Sequence, residues 1–249
     1  DRRQFLTCAA LGACALPAGT AWALQHRQPN ILWIVAEDAS PQIGCYGETA
    51  IDTPHLDALA AEGVRFENAF VTCPVCSPAR SALATGMYQT TIGSHNHRSQ
   101  NMGDKAAGNK AYYDTYQLPD ETPLVSDLFR AGGYYTCNGQ GPGAERPGKT
   151  DYNFITRGTP YDGANWRDAP EGTPFFAQIQ LRGGKYRGDT IEGGDFELPP
   201  YYPDTEIIRQ DWAEYLASWK RVDDEVGEIV QDLKDADVYD NTLVAFITD

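Results

Sequence analysis

The stretch NILWIVAED, residues 30–38, joins an unbroken apolar segment to two acidic residues. Asn30–Ala36 is rich in β-branched and aromatic side chains and does not alternate with polar ones. This pattern is typical of a strand buried on both faces of a parallel sheet. Ligands bind open parallel sheets at the carboxyl ends of the strands, so Glu37 and Asp38 mark the expected functional edge.

Strands and helices alternate along the rest of the chain. Helices are expected where an N-cap residue precedes proline or where apolar residues recur at helical spacing: 53–63, 77–86, 122–132 and 205–234. Further strands are expected at 64–70, 134–137, 174–181 and 242–248. This order predicts an α/β fold with a largely parallel central sheet flanked by helices.

The charge balance excludes one class of partner. The chain of 249 residues carries a formal net charge of -15. Binding to phosphate backbones needs an excess of Lys and Arg, so we expect no nucleic-acid partner. An acidic surface is compatible with cation binding.

Residues 1–23 resemble an export signal. Arg2 and Arg3 precede a mostly apolar segment, and the sequence Ala-Trp-Ala at 21–23 fits a signal-peptidase site. The paired arginines resemble a twin-arginine signal. Residues 11–14 resemble a lipoprotein box, so Cys14 could be the attachment point of a lipid. The apolar segment is too short for a stable membrane span. We therefore expect a periplasmic or secreted protein.

Cys76 precedes a predicted helix that begins Ser-Pro-Ala-Arg. The amino end of a helix attracts anions, and Arg80 adds a fixed positive charge there. The residues alone leave two interpretations open. Cys76 is either a cysteine activated as a thiolate or a small buried side chain beside Ser77 as helix cap.

Asp249 directly follows the predicted strand 242–248, as Glu37 and Asp38 follow the first strand. Carboxylates that meet at one sheet edge suit a hard cation with oxygen ligands, such as Ca²⁺. The alternative is a set of ordinary solvated acids at the end of the sheet.

Several blocks together resemble the formylglycine-dependent sulfatases of the alkaline phosphatase superfamily. Cys76-Ser77-Pro78-Ala79-Arg80 matches the C-x-P-x-R core of their signature. Three further blocks match in the same order. Residues 30–38 resemble the first strand of the family with its metal pair, and residues 53–70 resemble the segment before the nucleophile. Residues 239–249 resemble the strand that carries the later metal ligand.

The resemblance implies an alkaline-phosphatase-like fold and hydrolysis of a sulfate ester, with carbohydrate sulfates among the candidates. It implies that a formylglycine-generating or sulfatase-maturating enzyme converts Cys76 to formylglycine. The hydrated aldehyde attacks sulfur through one hydroxyl oxygen and displaces the alcohol. Loss of the proton from the other hydroxyl then expels sulfate and restores the aldehyde.

The resemblance also implies roles for individual residues. Glu37, Asp38, Asp249 and the formylglycine at position 76 would hold Ca²⁺, although the family usually has Asp where this chain has Glu37. Arg80 would hold the diol and balance the charge of the sulfate.

Lys149 is a further catalytic candidate beside Cys76 and Arg80, and Lys185, His95 and His97 are candidates for substrate contact. Lys149 matches the lysine of the G-K-x-H motif of the family, while Asp151 takes the position of its histidine. Lys185 stands where a second histidine is usual. Each lysine would meet sulfate as a point charge or lie solvated in a loop. His95 and His97 would line the substrate pocket or lie on a surface loop.

We expect residues 24–249 to form the N-terminal part of such a catalytic domain, because the residue that normally pairs with Asp249 and a later lysine are not in the chain. Residues 139–147 are an apparent insertion in the pattern. Two other functions stay open. A phosphodiesterase or phosphonate hydrolase of the same superfamily would more naturally use Ser or Thr than Cys76, and a sulfatase-like binding protein would have no activity.

Overall fold

The computed structural model describes residues 28–97, 117–191 and 196–249. Within these residues one sheet has the strands β1 Asn30–Ala36, β2 Tyr135–Gln140, β3 Phe175–Leu181 and β4 Thr242–Thr248. Their order is β2-β3-β1-β4, and every pairing is parallel. The predicted α/β fold with a parallel sheet is confirmed. The predicted export signal and Cys14 lie outside the described residues.

The main helices are α1 Pro54–Glu62, α2 Cys76–Thr85, α3 Val125–Ala131 and α4 Glu206–Asp235. The hydroxyl of Thr205 accepts a hydrogen bond from the Ile208 N–H and caps α4. The apolar face of α4, including Trp219, joins the core formed with the sheet, and burial of this apolar surface favours the folded state. None of the helices in the described part of the chain has the length and apolar character needed to cross a bilayer.

The prediction of a strand at 64–70 is wrong. These residues form no strand, and the side chains of Val64 and Phe70 are 78% and 88% exposed. An alternating segment becomes a strand only when one face is buried and a neighbouring strand accepts its hydrogen bonds. The described residues give this segment neither. The helix predicted at 122–132 begins later, at Val125, where the Asp127 carboxylate accepts a hydrogen bond from the Leu124 N–H.

The register of the sheet brings the ends of three strands to one level. Ala36 of β1 pairs with Leu181 of β3 and with Thr248 of β4. The residues that follow these strands therefore lie at one edge of the sheet, as expected for a parallel α/β fold.

Candidate active site

Cys76 is the first residue of α2 and is buried. Its Sγ lies 3.8 Å from Oδ1 of Asp38 and 3.8 Å from Nζ of Lys185. The N-cap residue, Val75, has no polar side chain to cap the helix. The amino end of α2 is therefore directed toward a position flanked by a carboxylate and an ammonium group.

Asp38, Cys76 and Asp249 form a group that suits a cation. One ligand atom from each lies within 4.8 Å of the others. Oδ1 of Asp249 accepts a hydrogen bond of 3.3 Å from the Asp38 N–H. Oδ2 of Asp249 is buried and lies 2.7 Å from Nε of Arg80 without forming a hydrogen bond. Carboxylate oxygens from two strand ends beside Cys76 are ligands that suit a hard dication.

Glu37 faces three cations. Its Oε2 accepts a hydrogen bond from Lys185 and lies 3.1 Å from Nζ of Lys149, while Oε1 lies 3.4 Å from Nη2 of Arg80. Burial alone would raise the pKa of the Glu37 carboxyl, but the Lys185 hydrogen bond and the charges of Lys149 and Arg80 outweigh it and lower the pKa. Glu37 lies outside the group formed by Asp38 and its neighbours, and its role as metal ligand stays a prediction.

Arg80 is buried, and its guanidinium is held on several sides. Its Nε lies 2.7 Å from Oδ2 of Asp249. The two groups form an ion pair, but the Nε–H bond does not point at the oxygen as it would in a hydrogen bond. Nη1 of Arg80 donates to Oε1 of Gln180 at 2.5 Å and to the Lys149 carbonyl at 3.3 Å. These contacts fix the orientation of the guanidinium, which a single ion pair would not do.

A close approach of two backbone segments positions Lys185. The Gly184 N–H donates to the Glu37 carbonyl at 2.8 Å, and a Cβ on Gly183, whose φ is +56°, would collide with the Glu37 backbone. Only glycine fits there without strain. Burial is the largest single influence and would lower the pKa of Lys185, but the hydrogen bond with Glu37 and the nearby negative charges, Glu37 and Asp38 among them, together outweigh it and raise the pKa.

Lys149 reaches the same cluster from the end of residues 139–147, the segment that is predicted to be an insertion. Gly139 and Pro147 form an antiparallel bridge, so residues 139–147 fold back as a small hairpin. The Gly148 N–H then donates to the Asn138 carbonyl at 2.9 Å, next to β2. Nζ of Lys149 lies 3.6 Å from Oδ2 of Asp151 as well as close to Glu37.

The two loop histidines are not part of this cluster. His95 and His97 are exposed, and within the described residues neither forms a hydrogen bond or ion pair with Cys76, Arg80 or the two lysines. Their place in a substrate pocket stays a prediction.

Sequence reasoning missed two buried amides beside the site. Gln180 is 2% exposed on β3, and Asn138 is 3% exposed on β2. Their side chains bond each other at 2.8 Å. The available signal was the presence of glutamine in the otherwise apolar strand PFFAQIQL, where a polar side chain needs a buried partner.

The charges at this edge are close to balance. Four carboxylates face three cationic side chains, which gives one excess negative charge before any metal is counted: Glu37, Asp38, Asp151 and Asp249 against Arg80, Lys149 and Lys185. A bound dication would change this to one excess positive charge. A bound dication would therefore make this edge of the sheet more favourable for an anion.

Known proteins resemble the chain over this whole region. The model of the Sulfatase family matches residues 29–249, and the chain belongs to the sulfatase family. An ulvan-active sulfatase of Formosa agariphila is 31% identical over 89% of this chain, which spans 43% of that relative.

Solved structures share the fold. A 2-O GAG sulfatase superposes with a TM-score of 0.63 at 20% identity, over 89% of this chain and 57% of the other. The phosphonate monoester hydrolase of Agrobacterium radiobacter gives a TM-score of 0.60 at 18% identity, over 88% of this chain and 62% of the other. At these identities the likeness shows the alkaline-phosphatase-like fold alone. The chain spans about half the length of the relatives that it matches.

Proposed function

We propose that the protein carrying this chain is a hydrolase of sulfate esters that uses formylglycine made from Cys76 and one Ca²⁺. The observation that supports this most is the position of Sγ, 3.8 Å from both the Asp38 carboxylate and the Lys185 ammonium at the amino end of α2. A group at position 76 can thus contact a cation on one side and an anionic substrate on the other.

The chain supplies ligands suited to the metal. Asp38, Asp249 and the residue at position 76 would hold Ca²⁺, with Glu37 as a further predicted ligand. The metal would supply positive charge that makes the oxygen nucleophile more reactive. Formylglycine would supply one hydroxyl for attack on sulfur and a second for release of the sulfate.

Three cationic side chains would bind the sulfate. Arg80 has a fixed guanidinium beside Cys76, and Lys149 and Lys185 add point charges on the same side. Because Glu37 holds all three cations in the resting site, its carboxylate would keep them in place for the sulfate oxygens. His95 and His97 stay as candidates for contacts with the rest of the substrate.

The substrate class that we propose is a carbohydrate sulfate. Support comes from relatives and structural neighbours whose names refer to sulfated polysaccharides, ulvan and GAG among them. We also propose that the protein is exported to the periplasm or secreted, because residues 1–23 resemble a signal peptide. A formylglycine-generating or sulfatase-maturating enzyme would be its partner during synthesis.

A substrate panel tests the proposal. The protein is produced with a maturating enzyme and assayed on carbohydrate sulfates, an aryl sulfate and a phosphonate monoester. We expect the highest kcat/KM on a carbohydrate sulfate and its loss in Cys76→Ala. A preference for the phosphonate would favour the hydrolase class that shares the fold. Absence of any hydrolysis by protein with confirmed formylglycine would contradict the proposal.

A further inference from the structure

We propose that Gln180 is a positioning residue that holds Arg80 and Lys149 in a fixed arrangement for sulfate. The inference rests on the proposed function, because it assumes that these two cations bind the sulfate. Gln180 lies outside the sulfatase signature. The proposed role explains why a glutamine stands at this position of the mostly apolar strand β3.

The side chain of Gln180 makes contacts at both ends of its amide. Its Oε1 accepts from Nη1 of Arg80 at 2.5 Å. Its Nε2 donates to Oδ1 of Asn138 at 2.8 Å and to Oε1 of Gln178 at 3.2 Å. Gln180 is 2% exposed, so water does not replace these partners easily. An amide with each end satisfied in a buried place fixes the groups that it contacts.

Asn138 carries the contact on to the loop of Lys149. Its Nδ2 donates to the carbonyls of Gly148, at 3.0 Å, and Lys149, at 3.5 Å. Nη1 of Arg80 also donates to the Lys149 carbonyl, at 3.3 Å. Gln180, Asn138, Arg80 and the Lys149 backbone thus form a closed ring of hydrogen bonds.

This ring lies at the base of the hairpin 139–147. Asn138 precedes the hairpin and Gly148 follows it, so the bonds between them join its two ends. A Cβ on Gly148 would lie 2.7 Å from both Oδ1 of Asn138 and Cγ of Gln180, which leaves room only for glycine. The two amides therefore tie the end of the hairpin, and with it Lys149, to β2 and β3, and we call Gln180 and Asn138 the amide clamp.

Other side chains at position 180 would not do the same. Leucine is similar in size but would leave Nη1 of Arg80 and Oδ1 of Asn138 without this buried partner. Glutamate would keep an acceptor for Arg80, but it would lose the donor to Asn138 and add a negative charge where sulfate binds. A neutral amide satisfies both neighbours and leaves the positive charge of Arg80 available to the substrate.

The experiment compares Gln180→Leu with Asn30→Leu in the matured enzyme. Asn30 is also a buried amide in the sheet, but it lies at the other end of β1, where it bonds Thr242 and the Phe175 N–H and contacts no part of the clamp. We expect Gln180→Leu to lose at least about tenfold in kcat/KM and in affinity for inorganic sulfate as an inhibitor. Asn30→Leu should stay within about threefold of wild type. Equal effects of the two variants on both quantities would overturn the inference.

A double-mutant cycle with Arg80→Lys separates positioning from general destabilisation. If Gln180 acts through Arg80, the loss of sulfate affinity in the double variant is smaller than the product of the two single losses. Independent, multiplicative losses would overturn the inference. If Gln180→Leu does not fold, Gln180→Glu serves as the second variant, and unchanged sulfate affinity in it would likewise overturn the inference.

Sulfate binding also separates this inference from the proposed function. Binding is read from the rise in Tm with sulfate, which needs no turnover. Wild type that binds sulfate through a Gln180-dependent site but hydrolyses no sulfate ester would refute the proposed function and leave the clamp standing. Wild type that binds no sulfate would overturn the clamp as stated.

Discussion

Nε of Arg80 lies 2.7 Å from Oδ2 of Asp249, which links the helix that begins at Cys76 to the end of β4. Both side chains are buried, so this ion pair sits in a medium where charges interact strongly. The same Asp249 carboxylate also faces Asp38 and Cys76. The guanidinium and the predicted metal therefore share one carboxylate, and the position of each depends on the other.

Replacement of Arg80 by lysine tests the planar geometry of this contact. A guanidinium bonds Gln180 through one nitrogen while others face Asp249 and Glu37, which a single ammonium cannot reproduce. We expect Arg80→Lys to lose at least about tenfold in turnover, which is about 1.4 kcal/mol of transition-state stabilisation.

Maturation of this variant has to be measured separately, because Arg80 lies within the C-x-P-x-R motif that the maturating enzyme recognises in this family. A fully matured Arg80→Lys protein with wild-type turnover would show that the proposed role of Arg80 is wrong.

Removal of metal should destabilise the protein. The carboxylates of Asp38 and Asp249 repel each other without a cation, and a ligand that binds only the folded state raises its stability. We expect a calcium chelator to lower the Tm of wild type, and Asp249→Asn to weaken Ca²⁺ binding at least about tenfold. Asp240→Asn, an exposed carboxylate near the start of β4, is the control. Equal melting with and without chelator, together with no metal in elemental analysis, would contradict the metal site.

Asp162 gives a pH dependence away from the site. Its Oδ2 accepts from the N–H and hydroxyl of Thr136 at 2.9 and 2.8 Å, and its Oδ1 accepts from Nε of Arg130 at 2.9 Å. Burial would raise the pKa of this carboxyl, but these hydrogen bonds outweigh it and lower the pKa. The ionised group thus stabilises the fold above its ordinary pKa of 3.8, and the effect is lost as the pH falls through the lowered value.

We therefore expect Asp162→Asn to cost about 1 kcal/mol at neutral pH, the usual net value of such a hydrogen bond. The difference from wild type should shrink below about pH 4. Denaturant unfolding at several pH values measures it, with the exposed Asp189→Asn as control. A difference that grows on acidification would contradict the assigned sign.

Local patterns in the sequence predicted much of the fold. The strand Asn30–Ala36 and the helix α4 follow from hydrophobic spacing, because each buries a continuous apolar face. The ends of the strands predicted that Glu37, Asp38 and Asp249 lie at one edge of the sheet, since they follow strands that a parallel sheet aligns. The sulfatase signature supplied Cys76 and Arg80.

The remaining features depend on contacts between distant segments. Residues 64–70 alternate like a strand but lack a neighbouring strand among the described residues, and the alternation does not reveal that. The contact of Glu37 with three cations depends on the loops of Lys149 and Lys185 folding back onto β1. The bonds of Gln180 join three parts of the chain, so the sequence pattern alone did not identify its role.

The central claim is that Cys76 becomes the catalytic formylglycine, and peptide mass spectrometry across Cys76 tests it most directly. In hydrolytically active protein, the peptide should be lighter than its cysteine form by about 18 Da, whereas oxidation to sulfenic, sulfinic or sulfonic acid adds mass. The Cys76→Ala protein, made in the same host, should show neither the mass loss nor activity. An unmodified thiol at Cys76 in protein that hydrolyses sulfate esters would contradict the account.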